Sequence, residues 1–69
     1  MISYSPFWKT LDASSETTYT LIHKHNINPT TISRLRHNMP VTTTTLDDLC
    51  LILKCDISDI IAFIPEESE

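Results

Sequence analysis

Residues 17–38, TTYTLIHKHNINPTTISRLRHN, contain two short helix patterns with almost no chain between them. Thr17 is a favourable helix N-cap, and Asn26 stands where a first helix would end in the left-handed conformation, which Asn tolerates better than most residues. Asn28 and Pro29 repeat the pattern of a cap followed by proline, so a second helix is expected to begin at once. The stretch therefore predicts a helix-turn-helix.

The two predicted helices have distinct inner and outer faces. Apolar residues at helical spacing are sufficient to pack the pair together, namely Leu21, Ile22, Ile27, Ile32 and Leu35. The outer face of the second helix carries short polar groups, one long donor and no acid, namely Pro29, Thr30, Ser33, Arg34 and His37. Such a face suits the major groove of DNA, where base edges present hydrogen-bond acceptors and thymine methyl groups.

The distribution of charge matters more in this chain than its sum. The 69 residues have a net charge of −4, whereas DNA-binding domains are usually basic. However, all nine acidic residues lie outside 17–46, and that stretch contains Lys24, Arg34, Arg36 and all three histidines. The sequence therefore predicts a locally cationic centre between acidic flanks, with chance segregation in a short chain as the alternative.

Further helix signals surround the helix-turn-helix, which forms the second and third of five predicted helices. Ser5 is expected to begin the first helix, Thr42 to cap the fourth and Asp56 to cap the fifth. Isoleucine-rich runs are also compatible with strands, but the caps, the i, i+3, i+4 spacing and the short connections favour helix. We therefore predict one all-α domain over 1–69, with a solvated acidic tail at 66–69.

Apolar periodicity along the five helices predicts one shared core. Because the core of so short a chain is marginal, each helix must commit its apolar face to it. The side chains expected to be mostly buried are Phe7, Trp8, Leu11, Leu21, Ile22, Ile27, Ile32, Leu35, Leu46, Leu49, Cys50, Leu53, Ile57, Ile60 and Ile61.

The two cysteines, Cys50 and Cys55, are interpreted as small buried apolar residues. Five positions apart on a helix they are expected to point to different sides, which suits neither a disulfide nor a shared metal. His23 and His25 also lack ligand spacing, so neither metal nor cofactor is expected. Reduced thiols, the absence of a long apolar run and the absence of a secretory leader together predict a cytoplasmic protein.

Three stretches carry a family resemblance. LIHKHNINPTTISRLRHN (21–38) resembles the helix-turn-helix of the phage-repressor and Cro-like, xenobiotic-response-element type regulators, which have the lambda-repressor-like fold. VTTTTLDDLCLILKCDISDIIAFIPEE (41–67) resembles the two helices that follow in that family, and YSPFWKTL (4–11) resembles the opening of a small bacterial subfamily. The sequence departs from the family at Asn26, where Gly is usual, and at His25, which is often apolar.

The resemblance implies two sets of DNA-contacting residues. The base-reading positions are Pro29, Thr30, Ser33 and Arg34. The positions near phosphate are Thr18, Arg36, Asn38, Thr42, Thr43 and Thr44. Apart from the resemblance, His37 is also expected to touch phosphate. A helix N-terminus such as the one after Thr42 offers unpaired N–H groups and the positive end of a dipole, which agrees with this assignment. Arg36 is equally well explained by an ion pair with an acid of a neighbouring helix.

These observations predict a transcriptional regulator, expected to be a repressor, that inserts the helix at 29–37 into the major groove of double-stranded DNA. A homodimer on a pseudo-palindromic site is expected, with its interface in the fifth helix and tail near Ile60, Phe63 and Ile64. The alternative is a protein-interaction module that keeps the fold without reading DNA, which low basicity favours. An enzyme is disfavoured, because the chain has no glycine-rich phosphate loop and is too short for an ordinary catalytic cleft.

Overall fold

The computed structural model describes residues 1–65, and the acidic tail predicted at 66–69 lies outside the described residues. The elements in chain order are β1 (Ile2–Ser3), α1 (Ser5–Ala13), α2 (Thr18–His23), α3 (Pro29–Arg36), α4 (Thr43–Leu53), a 3₁₀ turn (Ile57–Asp59) and β2 (Ala62–Phe63). None of the described helices has the length and apolar character needed to cross a membrane.

The chain is mostly helical, as predicted, but the prediction of a fifth helix is wrong. Asp56 does act as a cap, because its carboxylate accepts the N–H of Ile57 at 2.9 Å. The helical conformation ends after a single 3₁₀ turn, and the Asp59 carbonyl accepts the Thr10 hydroxyl at 2.8 Å instead of continuing a helix. The chain then becomes extended at Ala62 and Phe63, which pair with β1 in an antiparallel two-stranded sheet.

Three of the four helix starts are capped as the sequence predicts. The hydroxyl oxygens of Thr17 and Thr42 each accept a backbone N–H three residues ahead at 3.2 Å. The Asn28 side chain accepts the N–H of Thr30 at 2.8 Å. The first helix differs slightly, because Ser5 lies inside α1 and the cap position falls on a residue whose side chain makes no capping bond.

Within residues 1–65 of this glycine-free chain, three residues adopt the left-handed conformation. Asn26 (φ 61°) ends the turn after α2, and Asn38 (φ 56°) follows α3, both at predicted helix ends. Lys54 (φ 54°) ends α4 and was not foreseen, because Lys has no special tolerance of this region. The side-chain oxygen of Asn38 also accepts the N–H of Tyr4 at 3.0 Å, so this residue joins α3 to the start of α1.

One core holds the four helices and the 3₁₀ turn together. Its buried side chains are Tyr4, Phe7, Leu11, Leu21, Ile27, Ile32, Leu35, Leu49 and Ile60. The other predicted core residues are half-buried against it, namely Trp8, Ile22, Leu46, Cys50, Leu53 and Ile61. Ile57 is 46% exposed, so its predicted burial is wrong, because a 3₁₀ turn rather than an α-helix sets its direction.

The two cysteines lie together, so the prediction that they point to different sides is wrong. The left-handed turn at Lys54 lets the N–H of Cys55 donate to the carbonyl of Cys50 at 3.1 Å, a reversal that brings both side chains to one surface cleft. Both thiols are free and half-buried. Burial raises the pKa of the Cys55 thiol, and the neighbouring Cys50 raises it further.

Candidate nucleic-acid interface

The turn between α2 and α3 is anchored in the core. The N–H of Ile27 donates to the carbonyl of Leu21 at 2.9 Å, which closes the chain around the left-handed Asn26. Ile27 and Leu21 are both buried. Because two buried side chains and a backbone hydrogen bond hold this turn, α3 has a defined orientation against α2.

A polar network spans α2 from one end to the other. The Thr20 hydroxyl donates to Glu16 Oε1 at 2.7 Å, and the same oxygen lies 3.3 Å from His25 Nε2. The hydrogen bond from Thr20 lowers the pKa of the Glu16 carboxyl, and His25 adds to this effect against the opposing influence of desolvation. His25 is half-buried, and its polar partner was missed because the sequence does not show that Glu16 folds back over the helix.

The outer face of α3 is exposed and free of acid. The structure brings the four predicted base-reading residues onto this exposed face, namely Pro29, Thr30, Ser33 and Arg34. Ile32 and Leu35 are buried on the opposite face and fasten the helix to the core. His37 extends the exposed side, with its Nδ1 2.9 Å from the Ser33 carbonyl oxygen. The hydroxyl groups and the guanidinium of this face supply the donors that base edges accept.

Arg36 lies against α1 rather than in an ion pair. Its guanidinium carbon is 4.7 Å from the centre of the Trp8 indole ring. Among residues 1–65, no carboxylate lies within ion-pair distance of Arg36. The alternative explanation of Arg36, an ion pair with an acid of a neighbouring helix, is therefore wrong within residues 1–65. Arg36 and Trp8 line one side of a shallow cleft whose other side includes Thr18, the first residue of α2.

The remaining predicted phosphate positions follow the end of α3. The Asn38 side-chain oxygen is committed to the Tyr4 N–H, which leaves its amide NH₂ group as the donor. The Thr42 hydroxyl caps α4, and Thr43 and Thr44 are exposed in the first turn of that helix. The Thr45 N–H donates to the Thr42 hydroxyl, so the N–H groups of Thr43 and Thr44 are the ones an anion would contact.

Exposed apolar residues gather at the two-stranded sheet. Phe63 is 68% exposed and pairs with Ile2 across the ladder, and Ile64 is 47% exposed beside it. Ile60 is fully buried, so its predicted place in a subunit interface is wrong. The same burial confirms the other prediction for Ile60, a place in the core. Phe63 and Ile64 keep the exposure that an interface requires.

Two aromatic features were not anticipated from the sequence. Trp8 was predicted as core but is only half-buried, which leaves its ring face available to Arg36. Tyr19 and His23 stack on the exposed side of α2 with ring centroids 4.3 Å apart. The four-residue spacing of this second pair was the available signal, because such residues are neighbours on a helix surface. Across residues 1–65, no group of three His, Cys, Asp or Glu side chains has metal-binding geometry.

Comparison with known proteins agrees with this geometry. A family model described as a Cro/C1-type HTH DNA-binding domain matches residues 7–66. The chain is similar to the crystal structure of the transcriptional regulator VanUg (form II), with 32% sequence identity and a TM-score of 0.83. The similarity covers 94% of this chain and 87% of that one. No curated protein matches the chain at a significant level.

Proposed function

The chain belongs to the Cro/C1-type helix-turn-helix family of DNA-binding domains, and we propose that it acts as a sequence-specific repressor of transcription in the cytoplasm. The observation that carries this proposal is the outer face of α3, which is exposed, free of acid and held by a turn anchored in the core. Such a helix is able to enter a major groove without reorganising first.

In this proposal α3 reads the bases through four residues. Arg34 donates to a guanine, because paired N–H donors of arginine match the O6 and N7 acceptors of that base. Thr30 and Ser33 contribute hydroxyl groups that accept or donate, and Pro29 offers apolar contact to a thymine methyl group. The exposure of all four side chains on one helix supports this assignment.

Phosphate contacts on both sides of α3 would hold the helix in register. Thr18 and Arg36 line one cleft, while the first turn of α4 offers the N–H groups of Thr43 and Thr44 beside the Thr42 cap. His37 and Asn38 add donors between these two positions. All the residues named here lie within 17–46, and that stretch contains no acid although the net charge of the chain is −4.

We further propose that two copies bind a pseudo-palindromic site. A single module of this size buries little DNA-facing surface, and dimerisation doubles the contact. The exposed Phe63 and Ile64 beside Ile2 are the apolar groups available for a partner copy. This interface keeps the C-terminal location expected from the sequence but relies on the sheet instead of a fifth helix.

A protein-interaction module that does not read DNA is the second candidate. The cleft that contains Arg36 and Thr18 is also lined by Asp12 and Glu16, whose carboxylates repel a phosphate. This observation favours a binding partner other than a polyanion. The two candidates therefore differ in whether any duplex binds at low salt.

Fluorescence anisotropy with a duplex selected from a random library, and with a scrambled duplex, tests the proposal. Arg34→Ala should cost about 1–3 kcal/mol on the selected duplex and reduce the preference over the scrambled one. Lys9→Ala is the matched control, because it removes one positive charge from the exposed side of α1, outside the proposed interface. If the parent binds neither duplex at low salt, the DNA-binding proposal fails and the interaction module replaces it.

A further inference from the structure

Arg36 and Trp8 form a stacked pair at the edge of the proposed DNA interface. The guanidinium carbon lies 4.7 Å from the indole centre, well inside the range of about 6 Å over which a cation is attracted to an aromatic face. The guanidinium has five N–H donors, and contact with one ring face does not satisfy them as hydrogen bonds, so they remain available to a second partner.

The indole that carries Arg36 is itself held in place. Trp8 packs edge-on against Phe7, with ring centroids 4.7 Å apart and planes at 74°. Phe7 is fully buried, and Trp8 is half-buried against the same core. A long arginine side chain normally loses considerable conformational freedom when it binds a ligand. Because Arg36 lies on a fixed indole, part of the conformational freedom of its side chain is already lost before binding, which lowers the entropy cost of binding.

The donor groups of Arg36 have no competing partner within residues 1–65. No side chain or carbonyl there accepts a hydrogen bond from the guanidinium, and no carboxylate is paired with it. Two acids, Asp12 and Glu16, line the same cleft as Arg36; Glu16 uses its Oε1 for Thr20 and His25, and neither acid is paired with Arg36. The cleft beside Arg36 is shared with Thr18, so an acceptor entering there would meet both residues.

We propose that Trp8 is a positioning residue that holds the Arg36 guanidinium ready for a phosphate oxygen of the DNA backbone. The inference rests on the proposed DNA-binding function and names how one of its phosphate contacts is organised. Trp8 itself does not touch DNA in this arrangement. Its effect on binding passes entirely through Arg36, and phosphate contacts carry no sequence information.

The test compares Trp8→Leu, Trp8→Phe and Arg36→Ala by anisotropy with the selected and scrambled duplexes over a range of salt concentrations. Trp8→Leu should weaken binding to both duplexes by roughly two- to five-fold, the size expected when an exposed cation–π contact is removed. Trp8→Phe should restore part of this loss, because phenylalanine keeps an aromatic face. Arg36→Ala should weaken both duplexes equally and reduce the dependence of binding on salt.

A double variant separates positioning from general destabilisation. Trp8→Leu combined with Arg36→Ala should bind no more weakly than Arg36→Ala alone, with active protein concentrations set by stoichiometric titration. If the two losses add in full, Trp8 acts independently of Arg36 and the inference is overturned. It is also overturned if the parent binds DNA and both Trp8 variants bind with unchanged affinity and salt dependence.

A spectroscopic measurement on proteins that keep Trp8 covers the case in which Trp8→Leu does not fold. Trp8 is the only tryptophan of the chain, so its emission reports directly on this contact. Addition of the selected duplex should change the emission of the parent, and Arg36→Ala should reduce that change. An equal change in the parent and in Arg36→Ala contradicts the inference. Failure of the parent to bind any duplex instead removes the proposed function itself.

Discussion

Glu16 Oε1 lies 3.3 Å from His25 Nε2, so a residue two positions before α2 contacts a residue two positions after it. The same oxygen accepts the hydroxyl of Thr20, whose own hydroxyl oxygen accepts the N–H of Thr17. This network connects the cap of α2 to the turn that leads into α3. One carboxyl group therefore contacts residues at both ends of α2.

We expect Glu16 to make stability depend on pH in the acid range. Its pKa is lowered from the ordinary value of 4.5 in the folded chain, chiefly by the Thr20 hydrogen bond. A lowered folded-state pKa contributes stability that is present above 4.5 and is lost as the pH falls below that value. Glu16→Gln should therefore lower Tm at neutral pH, and the difference from the parent should shrink on acidification.

Thermal unfolding followed by circular dichroism from about pH 7 to about pH 3 measures this difference. Asp48→Asn is the control, because Asp48 is an exposed carboxylate on α4 outside this network. A difference between Glu16→Gln and the parent that stays constant over the whole range would show that the carboxyl charge is not the cause.

Glycine should replace one left-handed asparagine but not the other. At Asn26 the main requirement is a positive φ, so Asn26→Gly should be tolerated and Asn26→Ala should cost about 1 kcal/mol of unfolding free energy. At Asn38 the side chain also accepts the Tyr4 N–H, so Asn38→Gly should cost about 1–3 kcal/mol by leaving that donor without its partner. Urea unfolding of the three variants measures these losses, and equal losses for the two glycine variants would refute the distinction.

The Cys55 thiol should react with iodoacetamide only at unusually high pH. Burial, with the neighbouring Cys50, raises its pKa above the ordinary value of 9.0, so less of the reactive thiolate is present at any given pH. The rate of alkylation is measured as a function of pH, and each profile is divided by its maximum rate to remove the effect of access to the thiol. The pH at the midpoint should be higher for the folded chain than for the urea-unfolded chain. Tandem mass spectrometry assigns the label to Cys55, and a coincident midpoint would contradict the raised pKa.

Phe63 and Ile60 should respond in opposite ways to substitution by serine. Phe63 is 68% exposed, so Phe63→Ser should leave the unfolding free energy nearly unchanged while it weakens the proposed homodimer. Ile60 is fully buried, so Ile60→Ser should cost about 2–5 kcal/mol of stability. Sedimentation equilibrium and urea unfolding separate the two effects. Unchanged self-association of Phe63→Ser would place the interface elsewhere.

The sequence alone did not predict which residues pair across long distances in the chain. The partner of β2 is β1, at the other end of the described chain, and the Asn38 side chain accepts an N–H from a residue 34 positions away. Helical periodicity indicates which face of an element is buried, but not which element covers it. The Asp56 cap was predicted correctly and still led to a wrong fifth helix, because a cap starts a helical turn without determining its length.

The sequence by itself determined the helix-turn-helix and its outer surface. The helix ends are set by Thr17, Asn26 and Asn28, each of which affects only the turn of chain next to it. These effects are local, so they can be predicted from the spacing of residues in the sequence. Only the tertiary structure decided that Arg36 lies over Trp8 and that Phe63 pairs with Ile2. Those outcomes depend on how separate elements pack, and their free energies arise from contacts between residues far apart in the chain.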